Sequence, residues 1–121
     1  LGNSVITQLP DHPKEFVMHE TVVQQLDELL PEITAETIVS RKVLGNEGAK
    51  VTLFGFAAGE ELTEHTAACP AILHFLSGEA DLQLGAERTT AVPGTWIYMP
   101  ARLPHSVFAR TAVTMLLYLL T

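Results

Sequence analysis

Two stretches decide how this chain is read. The first is Gly59-Glu60-Glu61-Leu62-Thr63-Glu64-His65, running on through Ala67, Cys69 and Ala71 to Gly78. The second is Gly94-Thr95-Trp96-Ile97-Tyr98-Met99-Pro100, running on through Arg102 to Leu103-Pro104-His105. Each opens on a glycine able to turn the chain with positive φ. Each then delivers a histidine near a strand end, and in a small barrel such residues can converge on the interior.

Outward from these stretches the texture is short β-rich runs between turn residues. The expected strands are Ile38 to Leu44, Lys50 to Ala58, Ala71 to Leu76, Glu79 to Leu84, Glu87 to Val92, Thr95 to Met99, His105 to Ala109 and Val113 to Leu120. Turns fall at Gly45-Asn46-Glu47-Gly48, Ser77-Gly78, Gly85 and Pro93-Gly94. Val51, Leu53 and Gly55 share one face of their run. No long helix separates the strands, which excludes a parallel βαβ architecture and leaves an all-β sandwich or barrel. Leu26, Leu29 and Leu30 sit at helical spacing before Pro31, predicting one helical turn stopped by proline. Residues 1 to 16, with Pro10, His12 and Pro13, read as an arm; Met18-His19-Glu20 reads equally as an old chain start or as more of that arm. The expected division is an arm and short helical segment over 1–35 and a barrel over 36–121.

The bulk properties agree with one globular domain. The chain has 121 residues, nearly half of them apolar and 17% charged. Fourteen acidic residues face seven lysines and arginines, a net charge of −7. That balance repels phosphate backbones, so nucleic acid is not an expected partner. Cys69 is the single cysteine, so no internal disulfide forms. No run reaches the ~20 apolar residues of a membrane-spanning helix. A cytoplasmic location and no membrane partner are expected.

In these two stretches the chain resembles the cupin superfamily, in the manner of small single-domain bacterial members. The family's first motif is Gly, five residues, His-x-His, three or four residues, Glu, six residues, Gly. Here it falls on Gly59, His65, Ala67, Ala71 and Gly78. The second is Gly, five residues, Pro-x-Gly, two residues, His, three residues, Asn, and falls on Gly94, Pro100, Arg102, His105 and Ala109. Six of these ten positions match, at unbroken spacing, with fifteen residues between the motifs. The resemblance covers residues 51 to 118 and implies an all-β double-stranded β-helix, or jelly-roll, barrel.

The departures bear on function. Family members that hold a metal use His, His, Glu and His; Ala67 and Ala71 stand at two of those places and have no donor atoms. His65 and His105 remain. Their imidazoles could hold a divalent metal (iron, nickel, manganese or zinc), with Cys69 as a thiolate donor or His74 as a third nitrogen. Strand alternation sets His74 opposite an inward Ala71, unless a bulge intervenes. Arg102 could clamp a carboxylate at the pocket mouth or balance surface acids. Phe75, Trp96 and Tyr98 are the expected pocket aromatics, although alternation says only that one of the pairs Trp96/Tyr98 and Ile97/Met99 faces the cavity. The expected function is a small-molecule-binding cupin with a pocket built on His65 and His105. The alternatives are a metal-dependent dioxygenase, isomerase or lyase acting on a small polar acid or sugar, and an interaction protein with a vestigial pocket. A homodimer is expected, because Val113 to Leu120 is greasier than one barrel interior needs.

Overall fold

The computed structural model describes residues 6–9, 16–18, 21–30 and 33–121, with 16–18 described by backbone alone. The elements before the barrel proper are β1 (Ile6–Gln8), β2 (Phe16–Met18), β3 (Thr21–Val23) and α1 (Leu26–Leu29). Then follow β4 (Ile38–Gly45), β5 (Lys50–Phe56), β6 (Glu61–His65), β7 (Ala71–Ser77), β8 (Ala80–Leu84), β9 (Glu87–Ala91), β10 (Trp96–Met99), β11 (His105–Ala109) and β12 (Val113–Leu119).

A six-stranded sheet in the order β1-β4-β5-β12-β7-β10 faces a four-stranded sheet in the order β6-β11-β8-β9. This is the double-stranded β-helix expected from the sequence. All eight anticipated strands are present, with ends shifted by a residue or two. Within the expected barrel, 36–121, one strand was missed. β6 has Leu62 as its only strongly apolar residue and therefore carries no period-2 signal, yet it is the strand that holds His65.

The core lies between the sheets and is filled by alternate residues of each strand. β7 buries Ala71, Leu73 and Phe75. β8 buries Ala80 and Leu82, and β11 buries His105, Val107 and Ala109. Phe56 and Phe75 are wholly buried beside Val107, Val113 and Met115. Burying one such phenyl contributes about 1.5–3 kcal/mol. Gly78 makes the β7–β8 turn at φ 82°, where an added Cβ would collide with the Ala112 carbonyl oxygen, so only glycine fits.

β12 is central, paired with β5 on one side and β7 on the other. Its second face is also buried. Leu116 packs with Val51, Leu53 and Leu29 of α1 on the outside of the large sheet. Gly55, on that same face, leaves room for Ile33, whose Cδ1 would lie 2.7 Å from an added Cβ. The surplus grease of Val113 to Leu120 is thus partly covered by the chain's own helix. Part of the expected arm is a strand: β1, Ile6–Gln8, runs parallel to β4 and extends the large sheet. Pro10, His12, Pro13, His19, Glu20 and Pro31 lie outside the described residues. No helix among the described residues is long and apolar enough to cross a membrane.

Candidate ligand site at one end of the barrel

His105 opens β11 and is its first inward residue, only 5% exposed. Its register partner on β6 is His65. Simple alternation would send His65 outward, because Leu62, three residues earlier, packs into the core. The register shows why it does not. His105 pairs with His65 while Val107 pairs with Leu62, so Thr63 and Glu64 together oppose Ser106. This β-bulge inserts one residue and returns His65 to the phase of His105, where its ring remains exposed to solvent at the end of the barrel. The two rings lie 4.1 Å apart between centroids and are tilted by 58°. Glu64, within the bulge, is exposed.

Both imidazoles are oriented in the same way, by the carbonyl two residues before them. His65 Nδ1 donates to the Thr63 carbonyl oxygen at 2.8 Å, and His105 Nδ1 donates to the Leu103 carbonyl oxygen at 2.9 Å. A carbonyl oxygen only accepts, so each neutral ring carries its proton on Nδ1 and its lone pair on Nε2. Among the described residues the single buried side-chain nitrogen or oxygen without a partner is Arg41 Nε. Burial holds the His105 pKa below its ordinary value; the Leu103 carbonyl opposes that shift and the neighbouring His65 adds to it.

The rest of the site is apolar. Ala71 is buried against the core, paired with Met99 and Leu119. Leu103, Leu84 and Leu62 pack on the same cluster. The loop after β6 is tied to the loop before β11 by the Arg102 amide, which donates to the Ala67 carbonyl oxygen at 2.8 Å. Arg102 takes φ 66°, the conformation that explains a glycine at this place in the family motif. A non-glycine residue there costs about 1–2 kcal/mol. Its side chain is exposed at the rim.

The other expected site residues go elsewhere. His74 pairs with Trp96, and Ile72 with Tyr98, in unbroken register. No bulge turns His74 inward; it stands on the outer face of the large sheet. Trp96 and Tyr98, expected as pocket aromatics, are 58% and 53% exposed on that outer face, while Ile97 and Met99 pack inward. Phe75 is inside the barrel but fully buried, four residues along β7 from Ala71, so it fills the core about 13 Å from the histidine end. Cys69 is a half-buried free thiol in the loop. Among the described residues no three His, Cys, Asp or Glu side chains come together as a metal site. Two imidazole nitrogens fall short of the three or four protein donors of a stable divalent site, so this donor set does not fit a resident metal. The Thr63 and Leu103 carbonyls were missed, since backbone acceptors leave no mark on sequence.

Comparison with known proteins agrees with the fold. No curated protein matches the chain. It is similar to a conserved protein of unknown function from Streptococcus pyogenes, with 28% identity and a TM-score of 0.72 over 87% of this chain and 90% of that one. A cupin superfamily protein from Desulfitobacterium hafniense shares the fold at 22% identity and a TM-score of 0.73, over 86% and 94% of the two chains. Oxalate decarboxylase from Bacillus subtilis shares it at 20% identity and a TM-score of 0.62, over 67% of this chain and 24% of that one. The cupin domain family matches residues 52–120, the span that holds both glycine–histidine stretches, and the chain belongs to that family.

Proposed function

We propose that the protein binds a small molecule at the end of the barrel where His65 and His105 meet. One observation carries this reading: both Nδ1 protons are taken by backbone carbonyls, so two Nε2 acceptors stand together beside an apolar surround. Paired neutral imidazoles accept hydrogen bonds from a hydroxyl, an amine or a protonated acid. Leu62, Leu84 and Leu103, only partly buried against the core, offer apolar surface for the rest of a small organic ligand. A divalent ion would gain only two protein nitrogens here and would exchange readily. No reaction step is routed through it.

The test is a thermal-shift screen of small hydroxylated, amine and carboxylic compounds, and separately of zinc and nickel, on the parent, His65→Ala and His105→Ala. A ligand at this site should stabilise the parent and lose its effect in both variants. Equal stabilisation of all three proteins would place binding elsewhere and end this reading.

We further propose a homodimer joined through the outer face of the large sheet. Trp96 and Tyr98, both more than half exposed, support it, with His74 and Ile72 of β7 beside them. Uncharged aromatic surface of this kind favours a partner.

A further inference from the structure

The two faces of the small sheet carry different chemistry. β8 and β11 send Ala80, Leu82, Val107 and Ala109 into the core, which places Asp81, Gln83, Ser106 and Phe108 on the outside. The register arranges these outer side chains in two rows. In the first, Phe108 pairs with Glu61 of β6 on one side and with Asp81 of β8 on the other, and Asp81 pairs with Thr90 of β9. In the second, two residues along, Ser106 pairs with Gln83 and Gln83 with Arg88. All seven line one open groove of about 490 Å³.

We propose that this groove is a second binding site, for a neutral saccharide ring. Phe108 is the only apolar side chain among the seven, and it stands in the first row with a carboxylate on each side. An aromatic ring with polar neighbours within one strand spacing, ~4.8 Å, can stack the C–H face of a sugar while its edge hydroxyls meet those neighbours. Glu61 and Asp81 accept from hydroxyls, Arg88 donates to them, and Ser106, Thr90 and Gln83 do either. The charge balance selects the ligand class. Asp81 is ion-paired with Arg110 at 3.4 Å, and across the groove the acids Glu61 and Asp81 are matched in number by Arg88 and Arg110. In a chain of net charge −7 this groove is locally neutral, so it favours neither an anion nor a cation. The volume lies within the range of small-ligand sites. Since β11 presents His105 and Phe108 on opposite faces, this site is separate from the paired histidines.

The experiment is a titration of 15N-labelled full chain with D-glucose, D-galactose and N-acetyl-D-glucosamine at millimolar concentrations, read by amide chemical shifts. At least one sugar should move the amides of Glu61, Asp81, Gln83, Arg88 and Phe108, and leave those of His65 and His105 in place. Phe108→Val keeps a β-forming apolar residue but removes the ring, and should weaken that binding roughly tenfold. Arg88→Gln, on a strand edge away from the core, should weaken it without altering the melting temperature. The proposal is overturned if no sugar moves these amides, if shifts gather at His65 and His105, if acetate or spermidine binds there while sugars do not, or if Phe108→Val binds as the parent does.

Discussion

His65 and His105 meet, ring to ring at 4.1 Å, only because β6 takes three residues to cover the distance that β11 covers in two. The bulge at Thr63 and Glu64 is therefore part of the site. Deleting Glu64 should remove the bulge and leave His65 two residues after inward Leu62, still opposite His105 in a regular ladder. Because β6 is an edge strand, the fold should survive. The expected outcome is a protein of near-parental circular dichroism that keeps its ligand stabilisation. Stabilisation falling to that of His65→Ala would show that the bulge itself, and not the inward phase, is what places the ring.

The buried imidazole of His105 gives stability a pH dependence. Its folded pKa lies below 6.5, chiefly through burial. The folded state thus binds fewer protons than the unfolded chain as pH falls from 6.5 toward the lower folded value. The contribution is fully present above about pH 6.5 and is lost as pH drops through that window, with a slope of at most about 1.4 kcal/mol per pH unit. Urea unfolding of the parent at stepped pH should show this loss, and His105→Gln should flatten it. Identical profiles for the two proteins would remove His105 as the cause.

The barrel was legible because its signals are local. Glycine turns and period-2 alternation marked eight strands from Ile38 to Leu120. The site was only half legible. The spacing of the two histidines pointed to one end of the barrel, but β6 lacks an apolar period and a bulge has no sequence signature, so the means by which His65 reaches His105 was hidden. Trp96 and Tyr98 fell on the wrong side for a related reason. Alternation says that Trp96 and Tyr98 share a face opposite Ile97 and Met99, but not which face looks inward. The register with β7, which sets Met99 beside buried Ala71, decides that.

The exposed aromatics also test assembly. If Trp96 and Tyr98 form the contact between two copies, a charge there meets its own symmetry mate. Trp96→Glu should convert a dimer into a monomer in light scattering at micromolar concentration. Its melting temperature should fall, because dimer stability is linked to assembly. A monomeric parent protein would rule the dimer out at once.

The sharpest test of the histidine pair is to supply what the chain lacks. Ala71 stands where metal-holding relatives would place a glutamate, and it is buried between Met99 and Leu119. In Ala71→Glu the new carboxyl enters an apolar corner. Without metal it should destabilise the barrel by about 1–3 kcal/mol, through desolvation and overpacking together. Two imidazoles and a carboxylate, however, make the donor set of a facial metal triad. Nickel or zinc should then restore much of the lost stability, and a chelator should remove the gain. Ala71→Gln has nearly the same size and polarity but no charge, so it should show the loss with much less rescue. The comparison separates reach from tolerance. If Ala71→Glu is destabilised and metal does nothing, the carboxylate does not reach His65 and His105, and the pair stands alone at its end of the barrel. If Ala71→Glu and Ala71→Gln respond alike to metal, the response comes from the imidazoles and not from the introduced carboxylate.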